Sequence, residues 1–158
     1  MLNMRNVSFA LSFLLLLSLM GCTRLVIPKY ISDDNPYKKV FYTDFDKSVL
    51  ATEKALEDLG WTISEKADPV IYERTKSLID SDTKQILIFT EAKKAFNPFG
   101  STRKQINVYL RSEEGEGTTE IELRYLKVAS LTFKIFYRYK NNKLMDRLFE
   151  EIGKEVNK

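Results

Sequence analysis

From Trp61 to Lys140 the chain is dominated by short runs in which apolar and polar residues alternate, and a stretch of helical period stands at either end of that region. This pattern calls for a sheet built from the middle of the chain and helices packed against it. In the first helical stretch, about Asp44 to Leu59, Phe45, Val49, Thr52, Leu56 and Leu59 recur every three or four residues beside Ala55. Thr43 or Asp44 can cap its start and Gly60 its end. In the last, about Lys143 to Val156, the stripe is Met145, Leu148, Phe149, Ile152 and Val156. Lys39–Thr43 reads as a short strand, and Trp61–Glu65 and Val70–Lys76 as strand pieces around Ala67-Asp68-Pro69. Lys84–Lys93 is apolar on both faces at Ile86–Phe89, as a central strand would be. Gln105–Arg111 sets Ile106, Val108 and Leu110 opposite Asn107, Tyr109 and Arg111; Thr119–Val128 returns after a Glu113–Gly117 hairpin turn, and Leu131–Tyr139 alternates once more. The expected fold is α+β: an antiparallel sheet of about five or six strands, with both helices on one face in two layers.

With 44% apolar and 30% charged residues, the chain can build a core of ordinary size. It has no histidine and one cysteine, so neither a disulfide nor a Cys/His zinc site can brace the domain. The same absences remove Ser-His and Cys-His nucleophilic pairs. No glycine-rich phosphate loop is present, and the glycines of EEGEG sit among acids that repel phosphate. The 25 basic and 22 acidic residues are too evenly balanced for a nucleic-acid surface.

The first 22 residues divide into three parts. Arg5 precedes an apolar run, Val7–Leu19 (VSFALSFLLLLSL), and Leu19-Met20-Gly21-Cys22 follows. A 13-residue helix spans roughly 20 Å, short of the ~30 Å needed to cross a bilayer, so the run fits a signal peptide. Losing Arg5 with the leader takes the formal charge from +3 to +2. Leu19-Met20-Gly21-Cys22 resembles the bacterial lipobox, with Met20 a departure from the small or β-branched residue usual there. That resemblance implies cleavage before Cys22 and diacylglycerol on its thiol, with palmitate or a similar chain on the new amine. Two or three such chains hold a protein stably to a membrane. Thr23 stands where Asp signals inner-membrane retention in Gram-negative families, so the resemblance implies the outer membrane, facing the periplasm. In a Gram-positive host it implies the outer face of the plasma membrane.

The organisation expected is thus a signal peptide over 1–21, a lipidated N-terminus and tether over 22–37, and a domain over 38–158. Thr23–Pro36 would reach at most about 46 Å as an extended arm; its Leu25-Val26-Ile27 patch belongs either to that arm or to the domain. Asp44–Ile63 (DFDKSVLATEKALEDLGWTI) is similar to the start of many small envelope lipoproteins of unknown function, where a helix ends in Ala-Leu…Leu-Gly and an aromatic or apolar residue. The similarity implies a fold class and a compartment, and no activity.

Candidate sites are few. Asp44 and Asp46 suit a helix start. Asp80 and Asp82 lie in a polar loop without the ligand pattern of a calcium loop, and Glu113, Glu114 and Glu116 make a soluble turn. No catalytic residue, metal ligand or cofactor is expected. Lys93–Lys104 (KKAFNPFGSTRK) reads as a loop in which Phe96 and Phe99 are rimmed by Lys93, Lys94, Arg103 and Lys104. It either meets a lipid headgroup layer, an anionic polymer or a partner protein, or folds its rings back over a sheet edge. Phe136, Tyr137, Arg138 and Tyr139 can stack on bases or sugars, but strand propensity favours a core role. The expectation is a non-enzymatic lipoprotein that binds an envelope partner protein or polymer. The alternative is a carrier of lipid or another small ligand beneath the helices.

Overall fold

Asp44 opens the first helix: its side chain accepts the Lys47 N–H at 2.8 Å, satisfying one of the free donors of the first turn. The computed structural model describes residues 25–73, 83–97, 100–113, 117–131 and 134–158. Its elements are β1 (Tyr37–Phe41), α1 (Phe45–Asp58), β2 (Ile63–Ala67), a 3₁₀ turn (Pro69–Ile71), β3 (Thr83–Thr90), β4 (Lys93–Asn97), β5 (Gly100–Glu113), β6 (Thr119–Leu131), β7 (Lys134–Arg138) and α2 (Asn142–Val156). At the end of α1, Gly60 takes φ +74° while its N–H reaches Glu57 O at 2.7 Å and the Trp61 N–H reaches Leu56 O at 2.8 Å. This is a Schellman stop; Leu56 and Trp61 meet in the core as such a motif requires. Asn141 caps α2.

Over the described residues the fold is α+β, with one antiparallel sheet and two helices. Its seven strands run β1-β6-β5-β3-β2; β4 pairs with the start of β5 and β7 with the end of β6. The count exceeds five or six because, within the Lys93–Lys104 segment expected to be a loop, residues 93–97 pair as a strand with 100–104, Lys93 opposite Lys104 and Asn97 opposite Gly100. The strand expected from Val70 gives way to the Pro69–Ile71 turn, where proline at the first position favours helical φ. Cys22, Phe99, Asp80, Asp82, Glu114, Glu116 and residues 74–76 lie outside the described residues.

Both helices pack on one face. Among the described residues sixteen buried ones fill that layer, including Leu56 and Ala55 of α1, Ile152 and Leu148 of α2, and Ile106, Val108, Leu110, Ile121, Leu123 and Tyr125 of the central strands. Ser48, Ala51, Thr52 and Ala55 are also buried on α1, a run of small side chains that suits the close packing of α1 against α2.

The opposite face is covered by the chain before β1. Leu25 and Ile31 are buried against Leu126 and Val128, so from Leu25 onward the segment belongs to the fold and only Thr23 and Arg24 separate it from Cys22. Polar side chains of the sheet hold it there: the Ile31 N–H donates to Asn107 Oδ1 at 2.7 Å, and Lys29 O accepts from Gln105 Nε2 and Asn107 Nδ2, both at 3.2 Å. Tyr30 stacks on Tyr72, and Tyr72 meets the Phe89 ring edge-on.

Strand length outruns helix length. At about 3.3 Å per residue the 14 residues of β5 extend some 46 Å, whereas α1 and α2, of 14 and 15 residues, reach about 21–22 Å. One end of the sheet therefore projects beyond the helices as a wing made of β4, the start of β5, the end of β6 and β7.

Candidate interaction surface

The wing gathers most of the predicted site residues. Directly paired residues on neighbouring strands share a face. Val128 pairs with both Arg103 and Tyr137, Ser130 with Ser101 and Ile135, Arg103 with Lys94, and Ser101 with Phe96. Lys94, Phe96, Arg103, Ile135 and Tyr137 therefore lie on the face that carries Leu25, while Lys93, Lys104, Phe136 and Arg138 lie on the helix side. Phe96 is 79% exposed, Tyr137 57%, Phe136 51% and Ile135 49%. These values overturn the core role favoured for the β7 aromatics: alternation aims them at two faces, the helices end short of Phe136 on their side, and the Leu25 arm leaves Ile135 and Tyr137 half-exposed on the other. They also exclude a folded-back Phe96.

The wing strands contain seven basic residues, Lys93, Lys94, Arg103, Lys104, Lys127, Lys134 and Arg138, and the sequence has no acid between Ala92 and Ser112 or between Tyr125 and Met145. Ion pairs form elsewhere, for example Lys38 with Glu122, Lys66 with Glu53 and Arg111 with Glu120. Lys93 differs from the others. Its Nζ lies 4.1 Å from the centre of the Trp61 ring and donates to Leu59 O at 3.3 Å, at the carbonyl end of α1. Burial, and then Lys104 nearby, hold its pKa below the ordinary lysine value. Lys93 thus braces the helix end and is less available to a partner. At Gly100 a side chain is impossible, since a Cβ would stand 1.8 Å from Ser130 O. On the helix side a shallow groove of about 350 Å³ runs between Lys127, Ala129, Leu131, Phe136 and Arg138.

A second cluster, not anticipated from the sequence, lies on the Leu25 face at the other half of the sheet. Arg124 is 2% exposed. Its guanidinium meets Glu122, stands 2.5 Å from Glu73 and donates to the Tyr30 hydroxyl at 2.6 Å. Burial alone would lower its pKa, but the Glu122 and Glu73 carboxylates outweigh that and hold the charge firmly. The side chain spends its donors on groups from three separate segments and so clamps the N-terminal arm and the Pro69–Glu73 turn to the sheet. A cavity of about 520 Å³ opens beside it, lined by Tyr30, Asp33, Lys38, Tyr72 and Glu73 among others. The available signal was Glu122-Leu123-Arg124: two charges on one strand face, followed on that same face by Leu126 and Val128, which need cover.

Tyr109, 2% exposed, sits under the same cluster and donates to Gln85 Oε1 at 2.8 Å. Burial and then the Glu73 charge push its pKa up to about 12 from 10. A phenol raised in the folded state adds stability below its unfolded pKa, and that stability is lost as pH rises through the folded value. We expect unfolding free energy to fall between pH 10 and 12, by at most about 1.4 kcal/mol per pH unit for this one group. Urea titrations at stepped pH should show a shallower fall in Tyr109→Phe; an unchanged slope would remove Tyr109 as the source.

The chain matches no protein-family model, and no curated protein is significantly similar to it.

Proposed function

We propose that the chain is an envelope lipoprotein, cut before Cys22 and acylated on it, whose domain is a non-enzymatic binding module. One observation carries the binding role: a sheet wing that projects beyond the packed core, rich in cations, free of acids and lined with exposed Phe and Tyr. Such a surface suits a partner protein of acidic character or an anionic envelope polymer, with aromatic rings supplying contact area and lysines the complementary charge. The helix-side groove at Phe136 is the docking place of choice. A carrier would need space between sheet and helices, and that layer is filled by the sixteen buried side chains of the main core. The lipobox resemblance at Leu19–Cys22 supports the anchor, and Thr23 supports delivery to the outer membrane in a Gram-negative host.

Cys22→Ser tests the anchor. Labelling with a palmitate analogue should drop to background, and precursor should accumulate; labelling equal to the unmutated chain would contradict acylation at this residue. For the binding role, a photo-reactive phenylalanine analogue at position 136 should give a discrete adduct in the native envelope, saturable by excess protein. The same probe at exposed Leu50 on α1 should not. Equal adducts at both positions would count against the wing.

A further inference from the structure

We propose that the wing face bearing Lys94, Phe96, Arg103, Ile135 and Tyr137 lies on the anionic headgroup layer of the membrane that holds the anchor. This inference rests on acylation at Cys22 and adds an orientation to it. The decisive quantity is the short distance from anchor to fold. Cys22 is three residues from Leu25, a span of at most about 11 Å. Leu25 is itself buried against Leu126 and Val128. Val128 pairs with Arg103 on one side and Tyr137 on the other, each one strand spacing, about 4.8 Å, away. The acyl chains therefore leave the domain beside this face, on the side of the sheet opposite the helices, and a long tether that would let the domain tumble is absent.

What the anchor brings to the bilayer has suitable chemistry. Phe96, Ile135 and Tyr137 are exposed apolar groups of the size that enters the boundary between headgroups and acyl chains. Lys94 and Arg103 stand next to them on the same face, with no acid on the wing strands to cancel their charge. Basic residues near anionic lipid shift the docking equilibrium by about five-fold each. The acyl chains alone suffice for attachment, so the wing sets orientation rather than affinity. In that orientation the helix layer and the Phe136 groove point away from the lipid, open to a partner.

The single cysteine makes a direct test possible. In the full acylated protein Cys22 is blocked, so Phe96→Cys or Ile135→Cys supplies the one free thiol for a fluorophore. Each labelled protein is reconstituted into phosphatidylcholine–phosphatidylglycerol vesicles containing a headgroup-attached quencher, with Leu50→Cys as the control on α1. Labels at 96 and 135 should be quenched several-fold more than the label at 50. Adding Lys94→Gln and Arg103→Gln should lower the ratio of docked to undocked protein by about 25-fold. Equal quenching at all three positions in acylated protein would overturn the orientation and leave the anchor standing. A mass showing no acyl group would overturn both. Labels at 96 and 135 that are unquenched by lipid, yet shielded from a water-soluble quencher in native envelopes, would assign the face to a protein and contradict the proposal. Quenching that is unchanged on phosphatidylcholine alone and in the glutamine variants would refute the role of anionic charge.

Discussion

Arg124→Leu is expected to destabilise the domain by about 3–5 kcal/mol, because it removes the buried cation that Glu73 and Glu122 share. Both carboxylates are enclosed, Glu122 at 1% exposure and Glu73 at 6%. Lys38 reaches Glu122 at 3.1 Å from a half-exposed position and offsets only part of the loss. Arg124→Lys should recover little, since an ammonium cannot present the planar fork that serves Glu122, Glu73 and Tyr30 together. Replacing all three charged residues by leucine should restore much of the stability, because the large cost lies in breaking the group rather than in lacking it. Urea unfolding followed through Trp61, the only tryptophan and 4% exposed, reads all of these variants. A loss below about 1 kcal/mol in Arg124→Leu, the range of an exposed ion pair, would mean that water reaches the cluster freely.

Ile31→Ala should cost about 2–5 kcal/mol, the range for emptying a buried aliphatic site. Ile31 is 1% exposed between Leu126 and Val128, and its N–H is held by Asn107, which is fully buried. A tether residue in the same place would cost nothing. The two descriptions of residues 25–36 therefore differ by several kcal/mol at one position, well outside the error of a denaturant titration. The same variant should speed proteolysis within the arm, as loss of the Ile31 contact loosens the strap that Arg124 and Asn107 hold.

These two sites also show where the sequence was informative. The helices were legible because their signals are local: the Asp44 cap, the Leu56-Gly60-Trp61 stop and the three-to-four spacing of the stripes all act within a turn or two. The alternation in Gln105–Arg111 and Thr119–Val128 assigned faces correctly as well. Alternation does not say what covers the second face, and here the cover comes from residues 76 positions away, as with Ile31 on Asn107. For that reason nothing local marks the Arg124 cluster, and the Leu25-Val26-Ile27 patch fits an arm and a docked segment equally well until its partners Leu126 and Val128 are known. The β4–β5 pairing reads as a loop in the sequence because proline, glycine and charge interrupt the alternation and hide two short strands. The exposed β7 aromatics followed from a length mismatch: strands of 13 and 14 residues exceed helices of 14 and 15 by about a factor of two in reach. That mismatch made the wing, and with it the candidate surface at Phe96, Tyr137 and Phe136.

The proposed anchor and the proposed orientation both depend on Cys22. The decisive measurement is the mass of the N-terminal peptide of the protein taken from its native membrane. The prediction is a mature chain that begins at Cys22, its sulfur in thioether linkage to diacylglycerol. A free Cys22 thiol, or an N-terminus at any other residue, would contradict it.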